Sequence, residues 1–319
     1  MVQHRRATTA RVDEEAQLAA TVARRYFLDD ESKVDIGRSL GISRFKVARL
    51  LELSRELGLV RIEVRDPDSD PLARELEQHL GLDECVVVRG TDGGRDRSAR
   101  LVGQAAARVL QRILTAEDVL GLPWSRAIHH SVEALTELPR IPVVQLCGAL
   151  VVPGENSAYD VARRAAAVAG GEVSYYHTPL VMTTAEAARA VREQPEVARA
   201  LAMIPRVTVA LCSVGAWLPG LSTIHDAVSE QDRRAVADAG GVGESMGLVF
   251  DADGHPVDGG FADRTVGISF DQARAIPMVV AMSRGAESVT AIRAAIRGGL
   301  VDRLVVDESL ARGLLAESD

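Results

Sequence analysis

Arg44, Phe45, Lys46 and Arg49 follow Ser43 within seven residues, a cluster of cations around one aromatic ring. At the N-terminus of a helix such a set suits duplex DNA, because the first residues of a recognition helix reach base edges in the major groove. Arginine can pair with guanine there, and an apolar ring can meet a thymine methyl. Lys33, at the start of the preceding segment, joins this set. The alternative is a small helical hairpin whose charged face is merely solvated. A second group lies in glycine-rich loops that follow apolar runs: Gly121, Trp124, Ser125 and Arg126 in GLPWSR, Gly148, Gly215, Glu244, and Arg284 with Ser288. Hydroxyls, a carboxylate and guanidinium groups in such loops suit a small polar ligand, although ordinary strand-to-helix turns also favour Gly, Ser and Pro.

Other candidates for chemistry fall away. GGVGES (240–245) is followed by Met246, so the G-x-G-x-x-G phosphate fingerprint is not met, and no P-loop occurs. His129 and His130 open no metal-ligand spacing, and Ser213 is not in a G-x-S-x-G elbow. Asp251 and Asp253 in DADG read as turn residues without the further ligands of a calcium loop. No metal and no cofactor is expected.

The elements that must position the first group are legible. In SKVDIGRSLGISRFKVARLLELSRELGL (32–59), Ser32 and Asp35 suit the start of one helix and Gly41 its end. Val34, Ile36 and Leu40 are its apolar positions. Ser43 then caps a second helix with Val47, Leu50, Leu51 and Leu57 on one face. Phe45, Arg49 and Glu52 lie opposite that face. Residues 14–28 predict a bracing amphipathic helix, LVRIEVR (59–65) a strand or wing, and DPDSDP (66–71) a linker before a helix over 72–80. The N-terminal MVQHRRATTARVDEE has no apolar stretch of a secretory signal and reads as a disordered lead-in.

From Glu84 onward, short β-branched runs alternate with Ala- and Arg-rich helices. The runs are 85–89, 118–122, 142–148, 172–176, 206–215, 277–283 and 302–307. This rhythm predicts an α/β fold with a mostly parallel sheet covered on both faces, plus a β excursion near 244–268. In open sheets of this kind ligands collect at the carboxyl ends of the strands. The chain is therefore expected to divide into 14–65, a helix-turn-helix with a wing; 66–82, a linker and coupling helix; and 83–319, a Rossmann-like α/β body.

Charge follows the same division. Residues 1–65 carry 13 Lys+Arg against 10 Asp+Glu, hence +3, while the remainder carries 24 against 35, hence −11. Only Lys33 and Lys46 are lysines, so the body has none for Schiff-base or general-base work. Cys85, Cys147 and Cys212 are isolated in apolar runs and read as core thiols of a cytoplasmic protein. No apolar run approaches the length of a membrane span.

With both halves in view, the chain resembles the SorC/DeoR-type family of sugar-binding bacterial transcriptional regulators. The likeness runs from about residue 15 to 317. It is carried by YFLDDESKVDIGRSLGISRFKVARLLELSRELGLVRI in the head and by VVQLCGAL, GLVFDADGHPVD, DRTVGIS and AAIRGGLVDRLVVDE in the body. The resemblance implies a winged helix-turn-helix joined to a domain similar in fold to phosphosugar isomerases and deaminases. It also implies a homo-oligomer, usually a tetramer, and operator DNA released or gripped under control of a sugar phosphate or related metabolite. Where the family often has Gly-x-Ser-Trp-Gly-x-Thr, this chain has Gly121-Leu-Pro-Trp-Ser-Arg-Ala127; Pro123 and Ala127 remove two hydroxyls. Arg284 replaces a glycine and Ser288 stands where a phosphate-holding lysine is expected. Glu244 keeps the carboxylate that holds sugar hydroxyls, one methylene longer than the usual Asp. Arg126, Arg264 or Arg284 could hold a phosphate; otherwise the effector is an unphosphorylated sugar or polyol. A sugar-phosphate isomerase-like enzyme, or a DNA-binding assembly protein with a vestigial pocket, are the competing readings.

Overall fold

The computed structural model describes residues 2–29, 31–60, 70–90, 94–150, 158–257 and 260–316. The chain divides into two compact units, Met1–Asp68 and Ser69–Asp319. The first holds α1 (Val2–Phe27), α2 (Lys33–Leu40) and α3 (Arg44–Glu56). α1 starts well before the expected 14–28, so the lead-in taken as disordered continues that helix. Both predicted caps are present: Ser32 Oγ accepts from the Asp35 amide at 3.2 Å, and Ser43 Oγ from the Lys46 amide at 3.2 Å. Gly41, with φ of 65°, ends α2 in the left-handed conformation that glycine alone takes without strain. Gly37 is required for a different reason: a Cβ there would lie 2.8 Å from the Ile42 carbonyl oxygen, closing the turn between the helices.

Ala19, Val22 and Ala23 of α1 pack with Ile36, Val47, Leu50 and Leu51 into the core of this unit. Val34 and Leu57, expected on apolar faces, are instead exposed. Val34 is the second residue of α2, and Leu57 is the C-cap that follows α3. The wing expected at 59–65 and most of the linker fall on residues 61–69, outside the described residues.

The second unit opens with α4 (Pro71–Leu80), which Asp70 caps, and continues β1 (Glu84–Val88), α5 (Arg95–Ile113), β2 (Leu120–Leu122), α6 (Arg126–Ala134), β3 (Val143–Gln145) and α7 (Ala158–Ala169). Then follow β4 (Val173–Ser174), α8 (Ala185–Arg192), α9 (Pro195–Leu201), β5 (Val209–Ala216), α10 (Thr223–Ala227) and α11 (Glu230–Asp238). The chain closes with β6 (Gly243–Ser245), β7 (Leu248–Phe250), α12 (Phe270–Arg274), β8 (Met278–Ser283), α13 (Val289–Arg297), β9 (Arg303–Asp307) and α14 (Glu308–Ala316).

The main sheet is parallel, in the order β1-β9-β8-β5-β2-β3-β4. β6 pairs antiparallel with the end of β5, and β7 with β6, which is the β excursion expected near 244–268. Alternation along β8 shows why the sheet needs cover on both sides. Met278, Val280 and Met282 pack toward α5, α6 and α7, while Val279 and Ala281 pack toward α4, α13 and α14. From β2 the chain builds outward through β3 and β4 on one side and through β5, β8 and β9 on the other. The strand order therefore reverses between β2 and β5, opening a crevice at their carboxyl ends. Among the described residues no helix is long and apolar enough to cross a membrane.

Candidate functional site

A pocket with a free volume of about 80 Å3 occupies that crevice. Ser125 follows β2 and caps α6, accepting from the Ile128 amide at 3.2 Å. Ser213 of β5 donates to Ser125 Oγ at 2.9 Å, so the two strands at the reversal meet through paired hydroxyls. Ser283, at the end of β8, donates to the Val214 carbonyl at 2.8 Å. Arg126, Ser222, Thr223, Asp226, Glu244, Arg284 and Ser288 complete the polar lining.

Glu244 is delivered by the β5–β6 pairing, which sets it opposite Gly215. Its Oε1 accepts from Ser222 Oγ at 3.0 Å. A Cβ on residue 215 would stand 2.8 Å from that oxygen and 2.8 Å from the Leu221 carbonyl, so Gly215 makes room for the carboxyl group. Burial pushes the Glu244 carboxyl up to about 7, against the lowering effect of the Ser222 hydroxyl. It can both accept and donate near neutrality, where the sequence suggested a plain carboxylate.

The arginines divide. Arg126 and Arg284 line the pocket, with Arg126 Nη2 3.8 Å from Asp226 Oδ2. Arg264 does not line it. Its guanidinium pairs with Asp232 in the first turn of α11 and bonds to the Gly260 carbonyl at 3.0 Å, a strut where the sequence reading offered an anion ligand. Gly121 is also misplaced as a ligand residue: it lies inside β2, where a Cβ would meet Val207 and Leu146. Ser288 sits in the pocket, its hydroxyl donating to the Arg284 carbonyl at 3.0 Å.

A smaller chamber of about 10 Å3 shares Ser125, Ser213, Thr223 and Glu244 with the main pocket. Trp124, Cys147, Gly148, Leu180 and Met246 line it, room for one water- or methyl-sized group. Met246 is the only non-glycine with positive φ among the described residues, at 54°, and Gly247 follows at 87°. Positive φ at both centres is the hairpin turn that Asn-Gly usually makes. Holding methionine there costs roughly 1–2 kcal/mol, and its buried side chain faces the chamber. The Met-Gly pair in place of Asn-Gly is the signal that sequence reading missed. Cys147 and Cys212 are buried thiols pushed up to about 12 by desolvation, so neither provides a thiolate.

In the head, Arg44, Phe45, Lys46 and Arg49 are all exposed on α3, and Lys33 on α2. Among the described residues no acidic side chain ion-pairs with Arg44, Lys46 or Arg49. The guanidinium of Arg44 lies 4.9 Å from the centre of the Phe45 ring.

Residues 68–316 match the family model described as "Putative sugar-binding domain". The chain belongs to this family, that of the SorC/DeoR-type sugar-binding transcriptional regulators. Among proteins of similar sequence, the Deoxyribonucleoside regulator of Bacillus subtilis is 26% identical, over 95% of this chain and 98% of that protein. Transcriptional regulator LsrR of Klebsiella pneumoniae is 29% identical, over 95% of this chain and 94% of its own. Among solved structures, the full-length sorbitol operon regulator SorC from Klebsiella pneumoniae superposes with a TM-score of 0.71, at 22% identity, over 95% of this chain and 99% of that one. It supports the fold of both units.

Proposed function

We propose that this chain is a transcriptional regulator that binds operator DNA through α3 and is controlled by a carbohydrate bound between β2 and β5. The observation that carries the reading is the hydroxyl-lined pocket at the strand reversal, held in a unit separate from the cationic helix-turn-helix. Ser125, Arg126, Gly215, Glu244, Arg284 and Ser288 contact the effector in this reading. Sugar hydroxyls bond to the serines and to Glu244, which serves as donor or acceptor. Arg126 and Arg284 in the same pocket favour a ligand with an anionic group, since guanidinium pairs bidentately with phosphate. The chain acts as a homo-oligomer, so that paired α3 helices enter successive major grooves ~34–36 Å apart.

The names of the relatives above, regulators all, support this over the isomerase-like alternative. Cys147 and Cys212 are held protonated, and the unit that holds the pocket has no lysine. The test is thermal-shift screening of the full chain against sugars, polyols and their phosphates, followed by gel-shift titration of its own promoter DNA with the best ligand. A ligand that raises the melting temperature and changes DNA affinity is expected. Turnover of that ligand, or DNA affinity indifferent to it, reverses the proposal.

A further inference from the structure

The first turn of α3 is built against the usual preferences of a helix. Helix N-termini favour acidic side chains, since the dipole is positive there, and α2 follows the rule with Asp35. α3 has no acid in its first turn and places Arg44 and Lys46 there, adding cations to the positive end. Phe45 lies between them and is 72% exposed, whereas Phe27, Phe250, Phe261 and Phe270 are buried or half-buried. Neither feature stabilises the unit. Arg49, one turn on, extends the cationic face and is likewise unpaired among the described residues.

Resting on the reading of α3 as the DNA-binding helix, we infer that Arg44 and Phe45 act as a paired reader of a thymine beside a guanine. The Arg44 guanidinium lies over the Phe45 ring, 4.9 Å from its centre. The ring offers an apolar surface to the thymine 5-methyl, and the fork of Arg44 meets guanine O6 and N7. Stacking on Phe45 holds the guanidinium in place without engaging its hydrogen-bond donors, so the donors stay available to the base. The cations on either side exclude an acid-free protein groove as the better occupant: the surface complements a polyanion that also carries methyl groups.

The test starts from a randomised DNA duplex pool selected with the full chain, which yields a preferred site. Each thymine of that site is then replaced by deoxyuridine, which lacks only the methyl group, and neighbouring guanines by 7-deazaguanine, which lacks N7. One uracil position is expected to weaken binding about fourfold, the worth of one buried methyl. Phe45→Ala should bind the thymine and uracil duplexes equally, while remaining sensitive to 7-deazaguanine. Arg44→Ala should lose roughly 5- to 150-fold on the thymine duplex and become indifferent to 7-deazaguanine. Both side chains are exposed, so unchanged melting temperatures are the control for folding. An enriched site with no uracil-sensitive thymine overturns the base reading alone, as does an equal uracil effect in wild type and Phe45→Ala. Retention of no duplex overturns the regulator reading with it.

Discussion

Glu244 ties the pocket between β2 and β5 to pH. In the unfolded chain a glutamate releases its proton near 4.5, whereas the native carboxyl holds it up to about 7. Between those values the folded protein binds more protons than the unfolded one, so stability declines as pH rises from about 4.5 through 7 and is level above. The span is on the order of 3 kcal/mol. Urea unfolding between pH 5 and 8 should show this decline, and Glu244→Gln should flatten it; an identical slope in the variant rejects the assignment. Gly215→Ala is expected to be worse than its size suggests. The added methyl meets both Glu244 Oε1 and the Leu221 backbone, and only the first can move away. Loss of roughly 1–3 kcal/mol of stability is expected, with weaker ligand-induced thermal shifts. A variant with native shifts denies Gly215 its place at the site.

At the scale of elements, α4 is the first helix after the boundary near residue 68, and its start is clamped. Asp70 accepts from the Leu72 amide at 3.0 Å, and Arg89 grips the same carboxylate at 2.7 and 2.8 Å while also reaching Glu308 at 3.1 Å. Arg89 beside Asp70 holds that carboxyl below its ordinary value. Next to Glu308, Asp307 accepts from the Gly285 amide at 3.0 Å and from Ser98 at 3.0 Å, anchoring the loop that presents Arg284. Arg89→Ala should therefore quicken hydrogen exchange at the start of α4 without changing ligand affinity. The effect on global stability should be small, because the Arg89 side chain is half-exposed and the pair is screened by solvent. Native-like exchange protection of Leu72 and Ala73 in the variant counts against the clamp. Which elements exist was legible in the sequence, because the β-branched runs and the Ser and Gly caps act locally. α4, for example, spans Pro71–Leu80 against the expected 72–80. What was not legible depends on distant partners. Arg264 could not be assigned without Asp232, 32 residues away, nor Glu244 without the register that sets it against Gly215.

For the whole molecule, the two units divide the electrostatics. A basic head on an acidic body confines DNA attraction to one end of the chain, and salt dependence should report on that end alone. Lys46→Ala is expected to weaken binding to all duplexes and to reduce the salt slope by about one counterion; an unchanged slope, measured by titration between 50 and 200 mM salt, removes Lys46 from the phosphate contacts. Variants in the pocket should leave the slope of the ligand-free protein untouched. Effector and operator must also affect each other by the same factor, so the affinity of the effector should change on operator DNA as much as the reverse. The two lysines have a practical counterpart. Both are exposed and both lie on the helices that meet DNA in this reading, so amine-directed reagents address that end of the protein and, apart from the N-terminus, nothing else. Coupling the chain to a surface through its amines would engage side chains of the head unit and none of the body, whereas thiol coupling would need the buried cysteines to unfold first. Acetylation of Lys33 and Lys46 would, by the same placement, alter the charge of the head and leave the side chains that line the pocket unmodified.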